Sequence, residues 1–312
     1  MIEFLSMDVN YFGREEAYIK FVSSNRIEGM RKSRGWAQEH YVYFVAEFSK
    51  PITQYGTVTN DVLKEGSREA SGKNVKAYLR FTTNEGEAIL IRVGISAVSI
   101  KGARKNLEKE IPNFDFEKIK AQAEKIWEKE LNRIQVKSKN EDQKKIFYTA
   151  LYHTLITPNL FTDVDKKYYG MDRKIHVAQD YDHYAVFSLW DTFRAEHPLF
   201  TIIDQKRASH FVKSILAKYK DGGLLPVWEL HGNETWCMIG YHSVPVIFDA
   251  YMKGIRNFNA KEALEAMKTS AERDQHGQKL YRERGFIPAD KENESVSKTL
   301  EYCYDDWCIA QL

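Results

Sequence analysis

The segment Phe187–Pro198 reads FSLWDTFRAEHP and combines charged and aromatic side chains with enough apolar residues to be buried. Its spacing predicts a helix on which Trp190 and Arg194 stand four positions apart, and Asp191 and Arg194 three apart. On such a face the ring could cover the apolar side of a pyranose while the two charged groups bind its hydroxyls. The same spacing fits an internal Asp191–Arg194 ion pair beside a core tryptophan, so both interpretations stay open.

Three further motifs follow this segment along the chain. They read GGLLPVW at 222–228, ETWCMIGYH at 234–242 and ESVSKTLEYCYDDWC at 294–308. Together with YFGR at 11–14 and RGW at 34–36, and in this order, the series closely resembles the calcium-dependent exo-acting α-mannosidases of glycoside hydrolase family 92. The likeness spans nearly the whole chain, and several long motifs in order make it specific.

Residues 1–102 carry the pattern of a β domain. Alternating apolar residues predict strands at Tyr41–Phe48, Val75–Phe81 and Ala88–Ser96, which turn-forming residues separate. Such strands imply an antiparallel sandwich. The intervening stretch Ile52–Asn74 follows a proline and is polar, so it predicts a connection at an edge with at most one strand.

The pattern becomes helical after residue 102. Residues 103–138 predict linker helices, at Ala103–Leu107 and Phe114–Leu131, and the second has one apolar stripe on a solvated surface. Residues 139–312 form the third predicted region, with helices at about 140–157, 184–196, 204–220, 234–254, 260–274 and 294–311. Between the first two of these helices lies a long polar loop, Asn159–Asp182, that we expect to rim a pocket; it carries Tyr168, Tyr169, Asp172 and Asp180.

The resemblance implies a multidomain β + α fold. Its parts are the C-terminal portion of an N-terminal antiparallel β-sandwich, a linker helix, and roughly half of an (α/α)6 toroid, with the active site between the domains. A complete toroid needs twelve helices, and the pattern supplies six. We therefore expect a fragment of a longer product whose inner apolar helix surface is exposed, or is covered by self-association with a second copy.

Glycoside hydrolysis with inversion requires one carboxyl that protonates the leaving oxygen and another that deprotonates water. The resemblance implies inversion, with a glutamate as general acid and an aspartate as base, both in motifs that would follow Leu312. No catalytic residue is therefore expected within this chain. The resemblance also implies a calcium ion that binds the sugar, with most of its ligands outside this chain and no metal ligand assigned within it.

The sugar-binding candidates begin with the opening segment. The resemblance places Asp191 and Arg194 at the family's aspartate and arginine that contact the terminal mannose, with Trp190 beside them. This implication favours sugar binding over the internal ion pair.

Four downstream acids complete the candidate substrate-binding set. Glu234 follows a turn at a predicted helix start, where a carboxylate could equally complement the helix dipole. Glu301, Asp305 and Asp306 recur at i, i+4 and i+5 of one helix. An intrahelical pair between Lys298 and Glu301 is the alternative explanation for the first of these acids.

Composition excludes several classes of partner. The 312 residues carry a formal net charge of only +2, so the chain offers no large field for nucleic acid or an anionic membrane, and we expect neither as a partner. No apolar run is long enough to span a bilayer. Family members are usually periplasmic or secreted, but Met1–Phe4 does not read as a secretion signal, so the compartment stays open.

The cysteines and histidines give no metal or disulfide pattern. Three cysteines are too few and too irregular for a disulfide scaffold or zinc site, and they are predicted to be buried free thiols in helices: Cys237, Cys303 and Cys308. The motif histidines lack H-x-x-x-H spacing and are interpreted as structural: His197, His231 and His242.

Two functions remain in competition. The first is an exo-acting, inverting α-mannosidase that removes terminal α-linked mannose from N-glycan or mannan-type oligosaccharides, of which this chain is a fragment. The second is a catalytically inactive carbohydrate-binding or scaffolding remnant. The linkage preference cannot be read from these motifs.

Overall fold

The computed structural model describes residues 14–312, so Tyr11–Gly13 of the family motif lies outside the described part of the chain. The chain folds into two compact units. Unit 1 contains the described residues through Glu128 together with Thr162–Tyr169 and Ile175–Val177. Unit 2 contains Lys129–Phe161, Gly170–Lys174 and Ala178–Leu312.

Unit 1 is built on two antiparallel sheets, of five strands in the order β6-β1-β2-β3-β8 and three strands in the order β5-β4-β7. The strands are β1 (Arg14–Ser23), β2 (Arg26–Ser33), β3 (His40–Phe48), β4 (Gln54–Thr59), β5 (Val62–Glu65), β6 (Glu69–Gly72), β7 (Val75–Arg80) and β8 (Ile91–Ser96). The three strands predicted from alternation correspond to β3, β7 and β8 and are confirmed.

The two sheets bury their apolar faces against each other. Phe21 and Phe48 of the larger sheet share one core with Ala77 and Leu79 of the smaller sheet. Strand β7 buries every second residue, because successive side chains of a strand point to opposite faces. The predicted antiparallel β architecture is therefore confirmed.

The prediction for Ile52–Asn74 is wrong, because this stretch contains β4, β5 and β6 rather than at most one strand. Its middle strand, β5, is exposed at all four positions. A strand without a buried face needs no apolar alternation, so the pattern that predicts the other strands is missing here.

Two helices follow the sheets: α1 (Ile100–Glu110) and α2 (Phe116–Leu131), both as predicted but with α1 longer at each end. The Ser99 hydroxyl caps α1 by accepting a hydrogen bond from the Gly102 N–H. Helix α1 packs on β8 through Gly94, where a Cβ would lie 2.3 Å from the Ala103 carbonyl oxygen. The missing side chain thus lets the helix approach the sheet.

Unit 2 is mainly helical. Its helices are α3 (Glu141–Thr154), α4 (Leu189–Thr192), α5 (Glu196–Ile203), α6 (Gln205–Gly222), α7 (Ser243–Met252), α8 (Ala260–Glu272), α9 (Gln278–Arg284) and α10 (Ser295–Ala310). Short strands connect them: β9 (Asn159–Leu160), β12 (Tyr184–Ala185), β13 (Phe187–Ser188), β14 (Trp228–Leu230) and β15 (Asn233–Glu234). Four of the six predicted helices correspond to α3, α6, α8 and α10.

The predicted helices at 184–196 and 234–254 are wrong over most of their first halves. The first is β12, β13 and the single turn α4, and the second begins as β15 and becomes helical only in α7. Val186, Trp236 and Met238 have positive φ angles, which no α-helix contains. These backbone positions interrupt segments whose side-chain periodicity alone resembles a helix.

The long loop at 159–182 is also more ordered than predicted. Besides β9 it contains β10 (Lys167–Tyr169) and β11 (Ile175–Val177), which pair with each other within unit 1. Tyr168 and Tyr169 are buried, and the prediction that this loop rims a pocket stays a prediction. Asp172 lies near Lys174, and Asp180 pairs with Lys213.

Helix α10 has one buried face and one exposed apolar face. Tyr302 and Cys308 join the core of unit 2. On the opposite side Val296, Leu300 and Trp307 are 70%, 67% and 52% exposed. Together with Tyr304, these residues form an apolar surface of the kind expected of a partial toroid. Self-association through this surface stays a prediction.

Between residues 14 and 312 no helix combines the length and apolar character needed to cross a membrane.

Candidate functional site

A cavity of about 650 Å³ lies within unit 2 between the chain after α4 and helices α5, α7 and α10. Its volume is within the range of small-molecule sites in proteins. The walls are largely apolar and aromatic, with three charged side chains among them; the lining residues are Phe193, Arg194, Pro198, Pro245, Phe248, Asp249, Leu300, Glu301 and Tyr304.

Arg194 and Glu301 bring opposite charges together in this cavity. Arg194 Nη2 lies 3.4 Å from Glu301 Oε1, and the guanidinium also lies over the Phe193 ring at 4.7 Å. The Arg194 side chain is 67% exposed and that of Glu301 15% exposed. The contact is therefore accessible to solvent and can exchange partners with a polar ligand.

The predicted pair between Lys298 and Glu301 is wrong. The Lys298 ammonium instead donates a hydrogen bond to Glu292 at 2.5 Å. The Glu301 carboxylate instead lies close to Arg194 and to His242. The His242 Nε2 atom is 3.2 Å from Glu301 Oε2.

The opening segment presents its candidates differently from the predicted helix. Trp190 and Asp191 lie on the single turn α4, whereas Arg194 lies beyond its end. Asp191 accepts a hydrogen bond from the Ser188 hydroxyl and Arg194 contacts Glu301, so the two are not held in the internal ion pair considered above.

All three side chains of this group are exposed. Exposure leaves hydrogen-bonding capacity for an incoming ligand. Only Arg194 of the three lines the cavity, and the sugar contact of Trp190 and Asp191 stays a prediction.

Glu234 does not begin a helix. It lies on β15, which pairs with β14 in a hairpin. Its carboxylate accepts hydrogen bonds from the backbone N–H groups of Val227, Trp228 and Trp236 at 2.7–3.0 Å. Burial raises the pKa of this carboxyl, and the three backbone donors oppose the shift. The side chain thus holds a turn together, and direct contact with a sugar stays a prediction.

Asp305 is fully buried and cannot touch a sugar in this arrangement, which corrects its predicted role. Its two oxygens accept hydrogen bonds from the Tyr241 N–H and from His242 Nδ1, both at 2.8 Å. Burial raises the pKa of the Asp305 carboxyl, and His242 opposes that shift. The helical spacing placed Asp305 with Glu301, but the core of unit 2 covers the position one turn later.

Asp306 has a third environment. It accepts a hydrogen bond of 2.5 Å from the Tyr241 hydroxyl, and burial raises the pKa of its carboxyl. This bond ties α10 to the segment that leads into α7. Contact of Asp306 with substrate stays a prediction.

His242 lies beside the cavity residue Glu301, which the sequence does not predict, because the motif spacing favours only a structural role for this histidine. It is 1% exposed, stacks on Phe193 with ring centroids 4.0 Å apart, and lies between Asp305 and Glu301. No local spacing links residue 242 to α10. The GYH motif that precedes α7 was the available signal.

The cysteines are free, as predicted, but they differ in environment. Cys308 is buried, Cys237 is half-buried and lies in a loop, and Cys303 is exposed, so burial is wrong for Cys303. Among residues 14–312, no three His, Cys, Asp or Glu side chains come together as a metal site.

Glu196 at the start of α5 makes stability depend on pH. Burial raises the pKa of its carboxyl to about 7, and its Oε1 has no hydrogen-bond partner within the described chain. Between the ordinary pKa and about 7 the folded state binds more protons than the unfolded state, so stability falls as pH rises through this window.

We therefore expect Glu196→Gln to unfold at a higher urea concentration than the wild type at pH 8, with the difference much smaller at pH 4. Urea titrations at both pH values measure this effect. Glu283→Gln, at an exposed position of α9, is the matched control. An equal effect of Glu196→Gln at both pH values would contradict the prediction.

Comparison with known proteins agrees with the fold and the motifs. Residues 102–312 match the glycosyl hydrolase family 92 catalytic domain, and residues 3–96 match the family 92 N-terminal domain. A family 92 α-mannosidase from Bacteroides thetaiotaomicron is 41% identical with a TM-score of 0.92 over 96% of this chain and 41% of its own. It has also been solved in complex with mannoimidazole.

Two other relatives are similar to this chain. A family 92 inverting mannosidase from Bacteroides thetaiotaomicron VPI-5482 is 32% identical with a TM-score of 0.90, over 96% of this chain and 42% of its own. An uncharacterized secreted glycosidase from Arthroderma benhamiae is 29% identical over 75% of this chain and 29% of its own length. The chain spans less than half the length of these relatives, and its matches over both units show that it belongs to glycosyl hydrolase family 92.

Proposed function

We propose that the protein containing this chain is an exo-acting, inverting α-mannosidase that removes terminal α-linked mannose from N-glycan or mannan-type oligosaccharides. The observation that carries this proposal is the cavity in which Arg194 and Glu301 converge among aromatic and apolar walls. Apolar walls with a few convergent polar groups are typical of a site that binds a small polar ligand. The solved α-mannosidase relatives supply the substrate class.

Each sequence-predicted candidate receives a role in this proposal. Arg194 donates hydrogen bonds to sugar hydroxyls, and Trp190 and Asp191 extend the sugar-binding surface beside it. Glu234 and Asp306 shape the loops around these residues, with any contact to sugar as a secondary role. Asp305 acts from beneath the cavity.

Glu301 is the carboxyl best placed to bind sugar hydroxyls beside Arg194. It lines the cavity on a rigid helix and contacts the Arg194 guanidinium. The other carboxyl of the cavity, Asp249, is bound to Lys253 at 2.7 Å. The family resemblance places both catalytic carboxyls, the general acid and the base, in motifs outside this chain.

The proposal includes calcium dependence and a periplasmic or secreted location, and both rest only on similarity to relatives. The family resemblance suggests calcium, and one relative is described as secreted. The described residues provide no cluster that fits a metal ion, so no step of the reaction is assigned to calcium.

Product stereochemistry tests the proposal. A gene product that contains this chain is incubated with an α-linked mannobiose, and proton NMR follows the anomers as they form. We expect β-mannose to appear first and to mutarotate afterwards, with the 312-residue chain alone giving no turnover because both the general acid and the base are expected outside it. Initial release of α-mannose contradicts inversion. Sugar binding without hydrolysis by the longer product favours the inactive remnant instead.

A further inference from the structure

Three of the six tryptophans of the chain lie at one end of the small sheet β13-β14-β15 in unit 2. Trp228 begins the middle strand, Trp190 follows β13 on the turn α4, and Trp236 follows β15. The proposed function uses Trp190 beside Arg194 and gives Trp236 no role. Yet Trp236 is 38% exposed, almost the same as Trp190 at 37%.

The register of this sheet determines how the chain reaches Trp190 and Trp236. Phe187 and Glu234 both pair with Glu229 of the middle strand, so they lie on opposite sides of it. Because both outer strands run antiparallel to β14, they are parallel to each other and end at the same edge of the sheet. Neighbouring strands are about 4.8 Å apart, so β13 and β15 lie about 10 Å from each other. A short oligosaccharide can span this separation.

The loop that carries Trp236 is strained and firmly held. Trp236 and Met238 have φ angles of +54° and +71°, a region that bulky residues rarely adopt. The Glu234 carboxylate accepts a hydrogen bond from the Trp236 N–H at 2.8 Å and holds the turn. Backbone strain of this kind persists only where the surroundings fix it, and it clusters at ligand-binding sites. Here it presents two large apolar side chains to solvent, because Met238 is exposed as well.

Two side chains fix the indole ring of Trp236. The Arg273 guanidinium lies over the ring, 4.4 Å from its centroid. The His276 ring is tilted by 31° to the indole, with the two centroids 4.8 Å apart. A guanidinium over an indole is an attractive contact that favours one orientation of the ring. A ring that is already ordered loses little entropy when a ligand packs against it.

The polar group beside the indole suits an uncharged ligand. Burial, Arg273 and Lys298 together lower the pKa of His276, so its imidazole is neutral at neutral pH. A neutral imidazole offers one hydrogen-bond donor and one acceptor, which match the hydroxyls of a sugar. Exposed aromatic surface with a few polar groups beside it is typical of a site for a small polar ligand.

We propose that Trp236, with His276 beside it, forms a subsite for the second sugar unit of an oligosaccharide whose terminal mannose binds at Trp190 and Arg194. The inference rests on the proposed function, which places the terminal mannose there. The indole covers the apolar face of the second pyranose, and the imidazole forms a hydrogen bond with one of its hydroxyls. This contact favours oligosaccharides over mannosides that have no second sugar.

The test compares two substrates in an active enzyme that contains this chain. An α-linked mannobiose has a second sugar, whereas α-mannosyl fluoride has none. We expect Trp236→Ala to lower the ratio of kcat/KM on mannobiose to kcat/KM on the fluoride by about 3- to 10-fold, the size of one aromatic contact, mainly through a higher KM for mannobiose. Trp236→Phe keeps a ring and should retain most of this ratio. Trp190→Ala, at the terminal mannose, should lower kcat/KM on both substrates.

Two controls address folding and general effects of losing a tryptophan. Trp127→Ala is the matched control, because Trp127 on α2 is 37% exposed. Unfolding midpoints of all variants are measured first. If Trp236→Ala does not fold, Trp236→Gly carries the comparison, since glycine adopts the positive φ of this position without strain.

The outcomes separate the inference from the proposed function. A wild-type ratio in the folded Trp236 variant overturns the subsite, whether kcat/KM is retained on both substrates or lost equally on both. An equal fall of the ratio in Trp127→Ala also overturns it. In these cases wild-type turnover of α-mannosyl fluoride leaves the proposed function intact. If the wild-type enzyme hydrolyses neither substrate, the proposed function fails, and the inference fails with it.

Discussion

Glu301→Gln is expected to lower kcat/KM on α-mannobiose by about 10- to 100-fold, which corresponds to the roughly 1.5–3 kcal/mol of a hydrogen bond to a charged group. Gln keeps the size and polarity of the side chain but removes the negative charge that contacts Arg194 and that we propose binds sugar hydroxyls. The loss should be similar with 2,4-dinitrophenyl α-mannoside, because the proposed contact is with the mannose and not with the leaving group.

Steady-state kinetics with both substrates measures these effects, in an active enzyme that contains this chain. Glu265→Gln is the matched control, because Glu265 is exposed and forms only a loose contact with Lys268 at 3.8 Å. A loss that is much larger on α-mannobiose than on 2,4-dinitrophenyl α-mannoside would contradict the sugar-binding role, because it would show that Glu301 assists departure of the leaving group.

Lys218→Met is expected to cause the largest loss of stability, roughly 3–5 kcal/mol, because it leaves a buried carboxylate without its partner. Lys218 Nζ lies 3.6 Å from Glu229 Oε2, and their side chains are 2% and 0% exposed. Burial lowers the pKa of Lys218 and raises that of Glu229, and the attraction between the two opposes both shifts. Glu229 also accepts from the Val186 N–H, so it helps hold the positive φ of that residue before β13.

Urea unfolding of single and double variants measures the loss. The double variant Lys218→Met/Glu229→Gln should recover much of the stability, because the buried charge is removed. Lys220→Met on the same helix is the control, since its pair with Glu262 is at the surface and is worth about 0–1 kcal/mol. Equal destabilisation by Lys218→Met and Lys220→Met would show that the buried pair contributes nothing special.

The sequence predicts those parts of the fold whose pattern is local. Strand β7 and helix α8 have a regular buried face, and Asn259 caps α8 by accepting a hydrogen bond from the Glu262 N–H. The helix predicted for the segment Phe187–Pro198 is wrong because β13 pairs with β14. This pairing joins distant segments of the chain, and local periodicity does not encode it. In the sequence Lys218 has the pattern of a solvent-exposed lysine, and only the fold places Glu229 beside it.

The candidate site shows the same limit. Arg194 and Glu301 are both identified by the family motifs, yet their contact joins residues far apart in sequence. Asp305 and Glu301 share a helical face by spacing, but burial separates their roles. The sequence could name the chemical groups of the site, whereas their division between cavity and core depends on packing.

The order in which the ribosome releases the chain adds a constraint on folding. Residues Thr162–Tyr169 belong to unit 1, but they are synthesised only after the first part of unit 2. Within this late piece Asp163 accepts hydrogen bonds from the Ser96 hydroxyl and from Asn106 Nδ2, each at 2.8 Å. A nascent chain released only through Glu128 therefore contains the sheets and α1 but not the Asp163 carboxylate. The β unit completes its native polar contacts only after translation has entered the helical region.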